Sequence, residues 1–192
     1  MKKAAVFLDR DGNINRDVGY PNSFDLVEIY PYSFEALRKI NQAGLLAVVI
    51  SNQSGVGRGL IEEPQLRDIH DRMQEAFRQQ EAHFDGIYYC PHFVSSRIPV
   101  YDKDCECRKP RPGMGLRAAA ELGIDTSRSY MVGDKVADVQ FGRNLGARSV
   151  LVLTGYGQAT LAKLRAQGTE PAHVAQNLLD AVNWILEEEN RE

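Results

Sequence analysis

Two carboxylates stand two residues apart in Phe7-Leu8-Asp9-Arg10-Asp11-Gly12-Asn13, just after the apolar run Ala4 to Leu8. The glycine behind them lets the chain turn at once, so both acids can reach one site. One carboxylate of such a pair can attack phosphorus. Its neighbour can protonate the leaving alcohol and later deprotonate the water that hydrolyses the aspartyl-phosphate. On this reading Asp9 is the nucleophile and Asp11 the general acid. An anionic nucleophile meeting an anionic phosphate needs positive charge, and carboxylate oxygens suit Mg²⁺. Asp134, in Val132-Gly133-Asp134-Lys135-Val136-Ala137-Asp138, is the third acid for that ion, with Asp138 orienting the site from behind. Lys109 can neutralise phosphoryl oxygens, and Ser51 and Asn52 can donate hydrogen bonds to them. A lone Asp-x-Asp is a weak signal, since such acids commonly cap loops or face water.

A second cluster is sulfur-rich. Cys90-Pro91-His92, then twelve residues, then Cys105-Glu106-Cys107 provides three thiolates and one imidazole, and the chain has no other cysteine. A closed Cys₃His set suits structural Zn²⁺, with no position left open for catalysis. The alternative is a buried cysteine with scattered surface thiols. An odd number of cysteines in one segment does not look like a secreted disulfide framework. Because Cys107 precedes Arg108-Lys109, the metal would also fix the phosphate-binding pair.

These groups must be held by strands and helices. Ala4 to Leu8, Leu45 to Ile50, Gly86 to Tyr89, Tyr130 to Val132 and Val150 to Leu153 read as buried strands. Ser33 to Ala43, Pro64 to Arg78, Gly113 to Leu122, Val136 to Leu145, Gly157 to Ala166 and Ala175 to Glu188 read as helices. Strand alternating with helix implies right-handed crossovers and a mainly parallel α/β sheet covered on both faces. Its ligands bind beyond the carboxyl ends of the strands. Asp9, Ser51 and Asp134 each follow such a run.

A chain of 192 residues can bury one core, so residues 1–192 are expected to form a single domain. With 43% hydrophobic and 26% charged residues it falls in the globular range. A net charge of −3 gives no general attraction to nucleic acid. No apolar stretch is long enough for a membrane span, and Met1 to Leu8 is too short for a signal sequence, so a cytoplasmic location is expected. The loop Gly55-Val56-Gly57-Arg58-Gly59 lacks both P-loop spacing and the dinucleotide fingerprint. It is expected instead to close beside the substrate, with Arg58 either on a phosphate or at the surface.

Asp9-Arg10-Asp11-Gly12, Ser51, Lys109 and Gly133-Asp134 with Asp138 match, in order, the four motifs of the haloacid dehalogenase (HAD) superfamily, which the chain resembles over most of its length. The resemblance implies a three-layer, Rossmann-like parallel sheet. Asn13 departs from it, since the family more often has Thr there, but Asn can still hydrogen-bond the local backbone. No long insertion follows Asp11 or separates Ser51 from Lys109, so no large cap domain is expected and loops must supply selectivity.

The zinc loop, residues 90–107, narrows the resemblance to the branch that holds histidinol phosphatases and heptose-bisphosphate phosphatases. Asn15, Gly19-Tyr20, Ser51-Asn52-Gln53-Ser54-Gly55, Gly86 to His92, Cys105 to Pro110 and Tyr130 to Lys135 look most like the heptose side, between about Ala5 and Thr154. That resemblance implies that Asp9 through its side chain, Asp11 through its backbone carbonyl, and Asp134 bind Mg²⁺. It implies that Asp17, Val18, Gly19 and Tyr20 border the substrate. Ser51, Asn52, Gln53 and Ser54 would do so too, with Arg108, Lys109 and Lys135. Arg108 is the candidate for a distal phosphate, its fork matching phosphate oxygens; otherwise it is a solvated loop arginine.

The implied activity is hydrolysis of the C7 phosphate of a heptose 1,7-bisphosphate, leaving the 1-phosphate for lipopolysaccharide-core or nucleotide-activated heptose synthesis, by a monomeric enzyme. Histidinol-phosphate hydrolysis is the alternative. A catalytically silent, zinc-stabilised phosphate-binding module is the alternative of another class, and the presence of both Asp9 and Asp11 argues against it.

Overall fold

The run Ala5–Leu8 forms β1 in the computed structural model of the chain, which describes residues 2–191. Ala5 and Phe7 join one apolar cluster and Val6 and Leu8 another, so the strand is buried on both faces, as its lack of polar alternation requires. The chain continues through α1 (Pro31–Gln42), β2 (Leu46–Asn52), the single turn α2 (Ser54–Gly57), α3 (Glu63–Arg78) and β3 (Gly86–Cys90). Then come α4 (Gly113–Leu122), β4 (Tyr130–Gly133), α5 (Val136–Leu145), β5 (Arg148–Val152), α6 (Gly157–Ala166), β6 (His173–Ala175) and α7 (Leu178–Glu189).

The sheet is parallel throughout, in the order β3-β2-β1-β4-β5-β6. On one face, Ala36, Leu37 and Ile40 of α1, Met73 and Phe77 of α3, and Val182 and Ile185 of α7 cover Val6, Leu8, Val49 and Val132. On the other, Met114 and Ala118 of α4 with Phe141 and Leu145 of α5 cover Phe7, Val48, Ile50 and Met131. This is the expected three-layer α/β fold. From β1 the strand order proceeds one way to β2 and the other way to β4, so the crevice lies beyond the carboxyl ends of β1 and β4.

Local chemistry sets the helix ends. Pro64 stands in the first turn of α3, and the Glu62 and Gln65 side chains form a reciprocal capping box there. Leu66, Ile69, Met73 and Phe77 line its buried face at helical spacing. At the start of α5, Asp138 Oδ2 accepts from the Lys135 amide at 2.9 Å, placing a carboxylate at the positive end of the helix.

Several bounds differ from those expected, most by one or two residues, as β5 does in beginning at Arg148 rather than Val150 and β2 in running on to Asn52. The expected helix from Ala175 begins at Leu178, because His173–Ala175 pairs with β5 as a sixth strand. Asn177 then caps α7, its side chain accepting from the Asp180 amide at 3.1 Å. The first helix begins at Pro31 rather than Ser33, since the proline serves its first turn. Ser54–Gly57 is a helical turn rather than an open loop, with Gly55 against the Tyr20 ring and Gly57 against the segment that follows β3. The Gly57 amide donates to Pro91 O at 3.0 Å, and a Cβ there would lie 2.7 Å from that oxygen.

Candidate active site

Beyond Leu8 the chain leaves the sheet and turns sharply. Gly12 has φ +92°, and a Cβ there would stand 2.3 Å from Asp134 Oδ2, so only glycine lets the β1 loop lie against Asp134. Asn13 Nδ2 donates to Asp9 O at 3.1 Å and Val132 O at 3.3 Å, tying the ends of β1 and β4 together. The residue that departs from the family pattern thus bonds the local backbone, as expected.

Asp9 and Lys109 lie at the floor of a cavity of about 690 Å³. Lys109 Nζ is 2.8 Å from Asp9 Oδ1, 2.7 Å from Asp138 Oδ1 and 2.8 Å from Ile50 O, with its side chain 2% exposed. Asn52 holds the Lys109 backbone, donating from Nδ2 to its carbonyl at 3.1 Å and accepting its amide at 3.0 Å. Burial alone would depress the Lys109 ammonium, but Asp138 and Asp9 hold it above its ordinary value. Burial pulls Asp9 upwards, and Lys109 and Lys135 overturn that, leaving its carboxyl below the usual range. Asp9 is therefore an ionised, buried carboxylate at neutral pH.

Asp11 sits above it, its carboxylate in the fork of Arg10 at 2.8 to 3.1 Å. It also accepts from Gln53 Nε2 at 2.9 Å and Asn15 Nδ2 at 3.0 Å. Gln53 Nε2 reaches Ser51 Oγ at 2.7 Å as well, so the end of β2 and the β1 loop share one network.

Lys135 Nζ gathers the oxygens expected to hold a cation: Asp11 O at 3.0 Å, Asp134 Oδ1 at 3.4 Å and Asp9 Oδ2 at 3.6 Å. Asp134 Oδ1 is buried, with no hydrogen-bond donor among the described residues. Burial and then the Asp9 charge push the Asp134 carboxyl up to about 7. Three hard oxygens, two of them from carboxylates, already converge on one positive charge. That donor set fits a divalent cation of the Mg²⁺ type. Asp138 faces Lys109 and the Lys135 amide and so stands behind this set.

The second cluster assembles as its spacing suggests. Cys107 Sγ is 3.1 Å from Cys90 Sγ, Cys105 Sγ and His92 Nδ1, while Cys90 Sγ is 3.5 Å from Cys105 Sγ and 3.6 Å from His92 Nδ1. The cysteines are free thiols. The edges of a Cys₃His tetrahedron with Zn–S of about 2.3 Å and Zn–N of about 2.1 Å are roughly 3.5 to 3.8 Å. Two of the five separations match those edges and the three at Cys107 are shorter, so the four donor atoms are gathered round one point, and three thiols with one imidazole are the donor set that suits Zn²⁺. Burial lowers the His92 pKa, keeping the imidazole neutral and able to ligate at pH 7. From this segment the His92 carbonyl accepts from Arg108 Nη1 at 3.2 Å, which steers Arg108 to the cavity.

Of the expected substrate contacts, Asp17, Gly19, Tyr20, Ser51, Asn52, Gln53, Ser54, Arg108, Lys109 and Lys135 all line the cavity. Val18 does not; its side chain is exposed between neighbours that do. Arg58 lies away from the cavity, its guanidinium 3.7 Å from the centre of the Phe93 ring. The sequence reading missed the opposite wall, built by Tyr156 and by Thr160 and Lys163 of α6. The loop after β5 opens on the same crevice, which was the available signal for that wall.

The comparisons with known proteins agree with this geometry. A HAD-hydrolase-like family model matches residues 106–181. The chain is 44% identical over 156 residues to the D-glycero-beta-D-manno-heptose-1,7-bisphosphate 7-phosphatase of Pasteurella multocida (strain Pm70), covering 81% of this chain and 84% of that protein. It is 36% identical over 189 residues to the D-glycero-D-manno-heptose-1,7-bisphosphate 7-phosphatase of Thermosynechococcus vestitus, covering 96% of each. Among solved structures, the D,D-heptose 1,7-bisphosphate phosphatase from B. bronchiseptica complexed with magnesium and phosphate superposes with a TM-score of 0.83 at 34% identity. That match covers 96% of this chain and 99% of the other. With this likeness running almost end to end, the chain belongs to the D-glycero-D-manno-heptose 1,7-bisphosphate 7-phosphatase family of HAD-like hydrolases.

Proposed function

We propose that this chain hydrolyses the C7 phosphate of D-glycero-D-manno-heptose 1,7-bisphosphate, releasing inorganic phosphate and the heptose 1-phosphate. The observation that carries the proposal is the ionised Asp9 carboxylate held on buried Lys109 at the floor of a cavity whose lining includes Arg108, Lys135 and Lys163. A bisphosphate needs cations at two places, and the lining offers both. The Pasteurella and Thermosynechococcus relatives, both heptose-1,7-bisphosphate 7-phosphatases, favour the same substrate.

Asp9 attacks the C7 phosphorus, and the bond from phosphorus to the C7 oxygen breaks as the aspartyl-phosphate forms. Lys109 balances charge on the transferring group, assisted by hydrogen bonds from Ser51 and Asn52. Asp11 gives its proton to the departing C7 oxygen, then takes one from the water that attacks phosphorus and regenerates Asp9. Asp9, Asp134 and the Asp11 carbonyl would hold Mg²⁺, which supplies Lewis-acid polarisation of the phosphoryl oxygens when bound. Cys90, His92, Cys105 and Cys107 would hold Zn²⁺ and so fix the backbone that leads into Arg108 and Lys109. Arg108 takes the distal phosphate, while Asp17, Gly19, Tyr20, Gln53, Ser54 and Lys135 bound the sugar.

The same reading takes residues 1–192 as one catalytic domain and places it in the cytoplasm as a monomer serving lipopolysaccharide-core or nucleotide-activated heptose synthesis. Among the described residues no helix is long and apolar enough to cross a membrane. The test is turnover of the heptose bisphosphate against histidinol phosphate by the purified protein with Mg²⁺. The heptose substrate should be preferred, and faster hydrolysis of histidinol phosphate would sink the assignment.

A further inference from the structure

One buried ionisable residue takes no part in the proposed phosphoryl transfer. His70, on α3, is 5% exposed, and its Nε2 lies 3.1 Å from Arg10 Nη1. Arg10 is itself 1% exposed, so each of its N–H groups needs a partner inside the protein. Nε and Nη2 go to the two oxygens of Asp11, and Nη2 also reaches Gln53 Oε1 at 3.3 Å. Nη1 has His70. An arginine offers only donors, so this contact requires His70 Nε2 to be the unprotonated acceptor, with the ring proton on Nδ1.

We infer that His70 is a positioning residue for the general acid: it accepts from the outer nitrogen of Arg10 and so fixes the plane of the fork that aims Asp11 at the leaving oxygen. Without that acceptor, Arg10 Nη1 would be buried and unpaired, and the guanidinium would turn to find another oxygen, taking the Asp11 carboxylate with it. The surroundings fit an acceptor and no other role. Burial, then the Arg10 charge, push the His70 pKa down to about 3, so the ring stays neutral across the working range of the protein. Its ring lies 5.5 Å, centre to centre, from that of Tyr89, which precedes Cys90. The orientation of Asp11 is thereby linked to the segment that carries the cysteine cluster.

The inference rests on the phosphatase reading, in which Asp11 protonates the leaving group, and that step sets the test. A p-nitrophenolate can depart without a proton, whereas an alkoxide cannot. His70→Phe keeps the ring packing and removes the acceptor. It should lower kcat/KM for an alkyl phosphate by about tenfold and for p-nitrophenyl phosphate by less than about threefold. His70→Gln, whose Oε1 can accept from Arg10, should stay within about threefold of wild type on both substrates. Equal losses on alkyl and aryl substrates, or equal rates for the Phe and Gln variants, would overturn the inference.

A second readout is independent of turnover. In wild-type protein, ¹⁵N–¹H correlation of the imidazoles should show His70 neutral and protonated on Nδ1 at pH 5, and a ring protonated on Nε2 would refute the contact. A wild type inert towards every phosphoester would remove the phosphatase reading, and the role of Asp11 with it. That failure is recognised by an intact His70 tautomer.

Discussion

Replacing Lys109 by Met keeps the length and most of the volume of the side chain while deleting its charge. The ammonium lies within 2.8 Å of oxygens from Asp9, Asp138 and Ile50. Its loss leaves two buried carboxylates facing each other, with Lys135, 3.6 Å from Asp9 Oδ2, as the nearby cation. Removing one partner of a buried ion pair costs about 3–5 kcal/mol, and at roughly 2–4 °C per kcal/mol for a chain of this size Tm should fall by about 6–20 °C.

The loss should depend on pH. Without Lys109 the folded carboxylates hold protons more tightly than the unfolded ones. The folded state then binds more protons, and the penalty shrinks as pH falls. Thermal denaturation in Mg²⁺-free buffer at pH 8 and pH 5 measures this, and Lys109→Met with Asp138→Asn should recover part of the loss. The phosphatase rate should drop by about 10²–10³-fold in kcat, since a charge that meets the phosphoryl group is gone. A wild-type Tm for Lys109→Met, or a loss of the same size at both pH values, would refute this view of the site floor.

Further outcomes follow from the proposed metal sites and the proposed nucleophile. Burial and the Asp9 charge push the Asp134 carboxyl up to about 7, so on the proposed Mg²⁺ assignment the ion must displace a proton below that pH, and Mg²⁺ affinity should weaken by about tenfold per pH unit below 7 and level off above it. Calorimetric titration at pH 6, 7 and 8 checks the slope, and a pH-independent affinity contradicts it. Cys107→Ala removes the thiol that lies 3.1 Å from each of the other three ligand atoms. Bound zinc should fall from about one ion per chain to a trace, and Tm should fall with it, as read by elemental analysis and calorimetry. Asp9→Asn should abolish turnover with the fold retained, because the amide cannot form the aspartyl-phosphate, and residual activity above about 1% of wild type would exclude Asp9 as nucleophile.

Much of this site was readable from residue type alone, because buried parallel strands write themselves as short apolar runs and their ligands follow directly. Asp9 after β1, Ser51 as the last residue but one of β2 and Asp134 after β4 were singled out in this way, and the Cys₃His set stood out through scarcity. Other parts carried no such mark. His173-Val174-Ala175 is too short for periodicity to register, so β6 went unread and its last residue was taken into the helix behind it. Tyr156, Thr160 and Lys163 are ordinary residues for a surface helix, and only the placing of α6 beside the crevice turns them into a wall. Val18 shows the converse, since neighbours in sequence need not share a face in an irregular loop. His70 was hidden by its own helix, where it reads as one more position on the buried stripe of α3.

The central claim concerns which phosphoester is cut. ³¹P NMR of the α and β anomers of D-glycero-D-manno-heptose 1,7-bisphosphate, incubated with the purified chain and Mg²⁺, tests it most directly. The account predicts that the C7 phosphate signal gives way to inorganic phosphate while the anomeric phosphate signal persists; loss of the anomeric phosphate, or no turnover of either anomer, would contradict it.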